Sequence, residues 1–292
     1  METPVWLDRS EYPFQSRFID LDAGRMHYVD EGQGPVVVLV HGTPVWSFLY
    51  RNLIKALSQT HRCIAPDHLG FGLSDKPAGW GYRPEDHARN LRTLIERLGL
   101  RDITLVVHDF GGPIGLSYAV EQPQNVARLV VFNTWMWSLR ENREAAQISR
   151  MLGGAFGRFL YERLNFSPRF LIPAISGERK IAPHIHRHYI DAAPNPQARH
   201  AMWVCARELA GSSDWYESLW AQRERIRNHP ALLLWGLADR GVQSGVFDLA
   251  RWQGLFADAR TVTYPGVGHF VQEEAAPEVA AEISAFLQAI PV

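Results

Sequence analysis

The sequence predicts an α/β fold built on a mostly parallel, eight-stranded sheet. Three observations carry this. Largely apolar runs recur at Val36–Val40, Ile103–Val107, Val126–Phe132 and Ala231–Gly236, the first of them uniformly apolar and mostly β-branched, as expected of central strands buried on both faces. Stretches with helical spacing fall between them, the alternation of a parallel sheet with crossover helices. The run Leu105-Val106-Val107 ends abruptly in His108-Asp109-Phe110-Gly111-Gly112-Pro113. That reads as a strand, a tight turn with an acid at its apex, and a helix leaving it.

The elements follow in order. Partial alternation over residues 14–31, on both sides of Ala23-Gly24, predicts an antiparallel hairpin. Val36–Val40 is a central strand, and Trp46 to Leu57 has helical spacing. His61–Pro66 is a short strand, and the glycine-rich loop Asp67–Asp75 follows it. Pro84 opens a helix with Leu91, Leu94, Ile95 and Leu98 on one face, stopped by Gly99. Pro113–Val120 is the helix after the Asp109 turn, and Val126–Phe132 the next strand. From Asn133 to Arg227 the alternation stops. The segment is rich in Arg, His, Trp and Ala, with Pro173, Pro183, Pro194 and Pro196 as breakers, and reads as a helical insertion. Strand Ala231–Gly236, a helix around Val246–Trp252, strand Arg260–Tyr264 and a helix over Pro277–Leu287 complete the chain. Residues 1–132 and 228–292 are therefore expected to form the core, and 133–227 a cap.

Composition narrows the partners. With 30 basic against 31 acidic residues, a net charge of −1 suggests no nucleic acid and no anionic membrane surface. No apolar run approaches a membrane span. Met1–Asp8 lacks the basic and apolar regions of a signal peptide. Cys63 and Cys205 stand alone, which fits a reducing, cytoplasmic setting. The run His184-Ile185-His186-Arg187-His188 lacks accompanying Cys or carboxylate ligands at suitable spacing, so it reads as a solvated helix face and no metal is expected.

Three residues carry the chemistry. Asp109 sits where a nucleophile elbow places its reacting side chain; an acid there would also cap a helix. Asp239 lies just past the end of strand Ala231–Gly236, where an acid can orient a histidine; a turn aspartate is the plainer alternative. His269 lies in the small-residue loop Gly266-Val267-Gly268-His269-Phe270. Their order, nucleophile, acid, histidine, is that of the α/β-hydrolase triad. In that arrangement the backbone N–H groups of Thr43 and Phe110 would form the oxyanion hole. His41, His68 and His108 read as scaffolding. An aspartate attacking an sp³ carbon forms an alkyl ester that His269-activated water can cleave, whereas a serine would leave an inert ether. Asp109 therefore points to carbon–halogen bonds, epoxides or strained C–O bonds, and away from esterases and peptidases.

The chain resembles the haloalkane dehalogenase branch of the α/β-hydrolase superfamily in three places: His41–Arg51, Pro66–Pro77 and His108–Gly112. The resemblance implies a hydrolase acting on a small apolar organic substrate and water, with no cofactor or metal and a helical cap over the pocket. A monomer or small homo-oligomer is expected. It also implies Asp239 as the third member, since the family's other acid position holds Asn133 here. The family usually has Trp after the nucleophile, where its indole holds the halide; here that residue is Phe110, and Thr43 stands where many members have Asn. Trp135 and Trp137, at the entry to the insertion, could supply an indole instead, and Phe270 joins them as an expected pocket residue. An epoxide hydrolase is the nearest rival, and Tyr161, Tyr189 and Tyr216 meeting over Asp109 would favour it. Action on a β-lactone is a third reading, and a non-catalytic small-ligand binder a fourth. A fluoroacetate-type enzyme would carry arginine at Phe110.

Overall fold

The computed structural model describes residues 4–289. Met1–Thr3, part of the stretch read above for a signal peptide, and the last three residues of the expected core lie outside them. Eight strands form one sheet: β1 Arg17–Leu21, β2 Gly24–Glu31, β3 Val36–Val40, β4 Arg62–Pro66, β5 Ile103–Val107, β6 Val126–Phe132, β7 Ala231–Gly236 and β8 Arg260–Tyr264. Their order is β1-β2-β4-β3-β5-β6-β7-β8. β2 runs antiparallel to β1 and β4, and every other pairing is parallel. The apolar runs are central and buried, whereas β1 and β8 form the partly exposed edges.

Helices α1 Arg51–Leu57, α2 Pro84–Arg97 and α3 Gly111–Glu121 connect the first strands. Between β6 and β7 the described residues contain helices and turns but no strand. They are α4 Arg143–Gly153, α5 Ala155–Leu164, the short α6 Ile172–Ile175, α7 Pro183–Asp191, α8 Pro196–Gly211 and α9 Ser213–Trp220. After β7 come α10 Arg240–Gln243, α11 Leu249–Leu255, α12 Val271–Glu274 and α13 Ala276–Ala289.

Four local expectations are corrected. The helix read from Trp46 begins as a 3₁₀ turn, Ser47–Tyr50, because Asp67 takes the Ser47 N–H at 2.8 Å and ties down the first turn. α11 starts at Leu249 rather than Val246, because Asp248 caps it by accepting from the Arg251 N–H at 3.2 Å. Pro183 and Pro196 open α7 and α8 rather than breaking them, since the first helical position needs no N–H. His188 is not solvated. It is buried and stacks on Phe48 with ring centroids 4.5 Å apart, while His184 and Arg187 do face solvent.

The topology positions the site. β4 lies on one side of β3 and β5 on the other, so the connections leaving β3 and β5 diverge at their carboxyl ends. A crevice opens at such a switch point. The loops carrying Thr43 and Asp109 border it.

Candidate active site

Asp109 is the apex of the turn between β5 and α3. Its φ is +51°, a left-handed conformation that costs a non-glycine residue energy and needs its surroundings to hold it. Those surroundings are backbone contacts. The Asp109 N–H donates to Asn133 O (3.1 Å), Gly111 N–H to His108 O (2.8 Å) and Gly112 N–H to Asp109 O (2.9 Å). The last two bonds start α3 at Gly111, ahead of the expected Pro113. The Thr134 hydroxyl donates to Asp109 O at 2.5 Å. At Gly111 a Cβ would lie 2.1 Å from Val40 O, so no other residue fits the crossing.

The carboxylate is shared between two sets of partners. The Thr43 N–H donates to Oδ1 at 2.8 Å. His269 Nε2 lies 3.5 Å from Oδ2. Burial alone would raise the Asp109 pKa, but the hydrogen bond and charge of His269, helped by His108 and the Phe110 N–H, lower it below the usual carboxylate value. Both backbone donors expected from sequence thus favour the ionised acid.

His269 Nδ1 lies 2.7 Å from Asp239 Oδ2. Asp239 is buried, and its other oxygen caps α10 by accepting the Gly241 N–H at 2.8 Å. Burial pushes the His269 imidazolium down, yet the Asp239 charge and the hydrogen bonds to Asp109 and Asp239 outweigh it and bring the pKa to about 10. His108 donates through Nε2 to His269 O at 2.9 Å. Burial, then the His269 charge, lower the His108 pKa to about 3, which keeps it a neutral brace. His41 and His68 brace the Thr43 loop: His68 N–H donates to His41 Nε2, and His68 Nε2 to His41 O, each at 3.0 Å.

Phe247 and Glu274 had no reading from sequence, and Asn133 was read only as holding the family's other acid position. Asn133 donates to Asp239 Oδ2 and to Gly236 O, and accepts from Gly236 N, all at 2.9 Å. Its place after β6, opposite the loop after β7, is the signal that marks it. The Phe247 ring stacks on His269 at 5.2 Å, and nothing in its local sequence announces this. Glu274 Oε2 accepts from Gly268 N (2.9 Å) and from Gly177 N (2.8 Å), joining the His269 loop to residues that follow α6. There His269 N–H donates to Ile175 O (3.0 Å) and Glu178 N–H to Gly266 O (2.8 Å). A Cβ on Gly268 would lie 2.3 Å from Gly177 N. Ile175–Glu178 therefore straps the insertion directly onto the histidine loop.

The expected pocket residues separate. Trp135 is buried, with its ring edge-on to Phe110 at 4.8 Å and stacked on Phe247 at 5.8 Å. Its indole Nε1 has no hydrogen-bond partner among the described residues. Phe270 is buried against His269 and His108. Trp137 is not brought to the site: its ring packs against Trp220 (5.3 Å) and Trp252 (5.4 Å), with Arg251 over its face. Two of the three cap tyrosines are engaged away from Asp109, while Tyr161 is buried and within reach of the Asp109 charge. The Tyr189 hydroxyl donates to Glu273, which also pairs with Arg51, and the Tyr216 hydroxyl donates to Glu208 O at 2.9 Å. Among the described residues no group of three or more His, Cys, Asp or Glu side chains is placed to hold a metal ion.

Residues 35–276 match the family described as alpha/beta hydrolase fold. The chain is 37% identical over 279 residues to haloalkane dehalogenase 2 of Mycobacterium tuberculosis, covering 94% of this chain and 96% of that one. It is 33% identical over 293 residues to the cis-3-alkyl-4-alkyloxetan-2-one decarboxylase of Shewanella oneidensis, covering 94% and 89%. The crystal structure of haloalkane dehalogenase DatA from Agrobacterium tumefaciens superposes with a TM-score of 0.82 at 25% identity, covering 95% of this chain and 97% of that one.

Proposed function

The chain belongs to the α/β-hydrolase fold family, in its haloalkane dehalogenase-like branch, and we propose that it hydrolyses carbon–halogen bonds of small apolar molecules through an alkyl ester on Asp109. The observation that carries this is the division of the Asp109 carboxylate, with Oδ1 on the Thr43 N–H and Oδ2 towards His269. Of the described residues, those within 1–132 and 228–292 act as the core that holds these groups, and 133–227 as the cap above them.

The oxygen not held by Thr43 attacks an sp³ carbon. A C–O bond forms as the carbon–halogen bond breaks, and halide leaves with the electron pair. The ester is neutral, so His269 loses one of its two carboxylate partners. Its proton affinity falls, and it becomes the base that takes a proton from water. Water attacks the ester carbonyl carbon. Charge gathers on Oδ1, facing the Thr43 and Phe110 N–H groups, while Asp239 stabilises the imidazolium. Collapse expels the alkoxide, which takes the proton from His269 and leaves as alcohol, and Asp109 loses the remaining proton. One water is consumed, and one alcohol, one halide and one proton are released. Trp135 meets the leaving halide. Its unpartnered, buried indole N–H and its contact with Phe110 support that role.

A second reading is action on a β-lactone. The oxetan-2-one decarboxylases among the relatives favour it, as does Phe110, which offers no side-chain donor to a halide. The separate engagement of Tyr189 and Tyr216 disfavours an epoxide hydrolase. The test is His269→Gln, which should trap the ester on Asp109. Intact mass should rise by the alkyl group after incubation with a haloalkane, with one equivalent of halide released. An adduct with a β-lactone alone would transfer the assignment to the second reading. No adduct with either would overturn the aspartyl mechanism.

A further inference from the structure

The exposed large hydrophobic side chains are not scattered. Of the seven among the described residues, five lie between 151 and 170: Met151, Phe156, Phe159, Leu164 and Phe170. Phe156 is 69% exposed and Phe159 55%. Phe156, Phe159, Leu160, Arg163 and Leu164 have the spacing of a single face of α5. On a surface helix that outer face is ordinarily polar. The inner face is in order, with Gly157 and Tyr161 buried.

The charges of this region are equally one-sided. Over residues 150–174 every exposed position is apolar, glycine, proline or arginine, and none is acidic. The arginines are Arg150, Arg158, Arg163 and Arg169. Glu162, the one acid, is partly buried and engaged by Arg158 (2.9 Å) and His200 (2.8 Å). The chain's net charge of −1, from which no membrane partner is expected, conceals this local excess.

We propose that the Met151–Phe170 face of the insertion docks onto an anionic lipid surface, with its phenylalanines and leucine in the acyl boundary and its arginines among the headgroups. An exposed apolar stripe flanked by arginines has the composition of a helix that lies in a membrane interface. It does not span: among the described residues no helix is long and apolar enough to cross a membrane. A second copy of the chain fits worse, because a two-fold contact through this face would set arginine against arginine. Anionic phosphates complement them, and long arginine stems let the head group reach water from an apolar contact. The reaction proposed above takes apolar molecules, which concentrate in such a phase.

Flotation of the full chain with vesicles tests this. Phosphatidylcholine containing about 30% phosphatidylglycerol should carry the protein, and pure phosphatidylcholine should not. Salt at about 0.5 M should release it. Two variants, Phe156→Ser/Phe159→Ser and Arg163→Glu/Arg169→Glu, should each lower partitioning more than about tenfold. Turnover of a water-soluble haloalkane should stay unchanged in both, which separates lost docking from lost folding or chemistry. Wild-type protein that ignores anionic vesicles, or binds both kinds equally, overturns the proposal. So does self-association in sedimentation that the serine variant abolishes, since the face would then belong to a second copy.

Discussion

The floor under Asp109 and the outer face of the insertion are made differently. The floor, from β3, β5 and the loops after them, holds its groups by backbone hydrogen bonds and by van der Waals crossings with no spare volume. Asp109 keeps a φ of +51° there because its neighbours' N–H and C=O groups leave it no alternative. The outer face of the insertion, at α5, turns Phe156 and Phe159 to solvent. The contrast shows where the chain is held tightly and where it is not. The floor has no spare volume at crossings such as Gly111, while Phe156 and Phe159 can change without touching the reacting atoms.

Three measurements sharpen this contrast. The largest effect is expected for Gly111→Ala, whose Cβ would meet Val40 O at 2.1 Å. Overpacking ordinarily costs about 1–3 kcal/mol, and a clash with backbone that cannot move costs more. Soluble, folded protein should be nearly lost, whereas Phe156→Ser should leave the melting temperature almost unchanged. A stable Gly111→Ala protein would mean that the floor can yield. Next is Asn133→Ala, which removes the hydrogen bond to Asp239 Oδ2. Hydrogen bonds to charged groups are worth about 1.5–3 kcal/mol, so kcat should fall about 10- to 100-fold. KM should hold, because Asn133 reaches the reaction only through Asp239 and His269. An unchanged kcat would show that Asp239 is held without it.

The smallest effect is on stability against pH. The His269 pKa is raised from 6.5 to about 10 in the folded chain, so the folded state binds the extra proton more tightly. Stability from this site is complete below about pH 6.5 and is lost as the pH rises through about 10. Melting temperature should decline across that window, and His269→Gln should flatten the decline. Phe156→Ser should leave the slope intact. Equal slopes in wild type and His269→Gln would remove His269 as its source.

How much of this was legible in the sequence follows the same division. The buried strands announce themselves because a strand covered on both faces needs apolar residues throughout. The Asp109 turn does so because its glycines are required by contact. Asp239 and His269 were visible as an acid and a histidine in loops after strands. Their pairing at 2.7 Å depends on Asn133 and on the strand order, neither of which is local. The helical insertion was the least legible region. Its helical spacing shows, but the direction of each face depends on what the helix lies against. His188 reads as polar and stacks on Phe48, while Phe156, a large apolar side chain, faces outwards. Trp137 was similarly ambiguous: an aromatic near the site by sequence joins a tryptophan cluster away from it.

The strap at Ile175–Glu178 has a consequence for exchanging parts between relatives. Its hydrogen bonds end on His269 and Gly266, and a carboxylate from α12 serves Gly177 and Gly268 together. A transplanted insertion would bring its own strap to this loop and with it a new resting position for the imidazole. The insertion and the placement of the His269 loop are therefore inherited together unless residues 175–178 stay behind with the core.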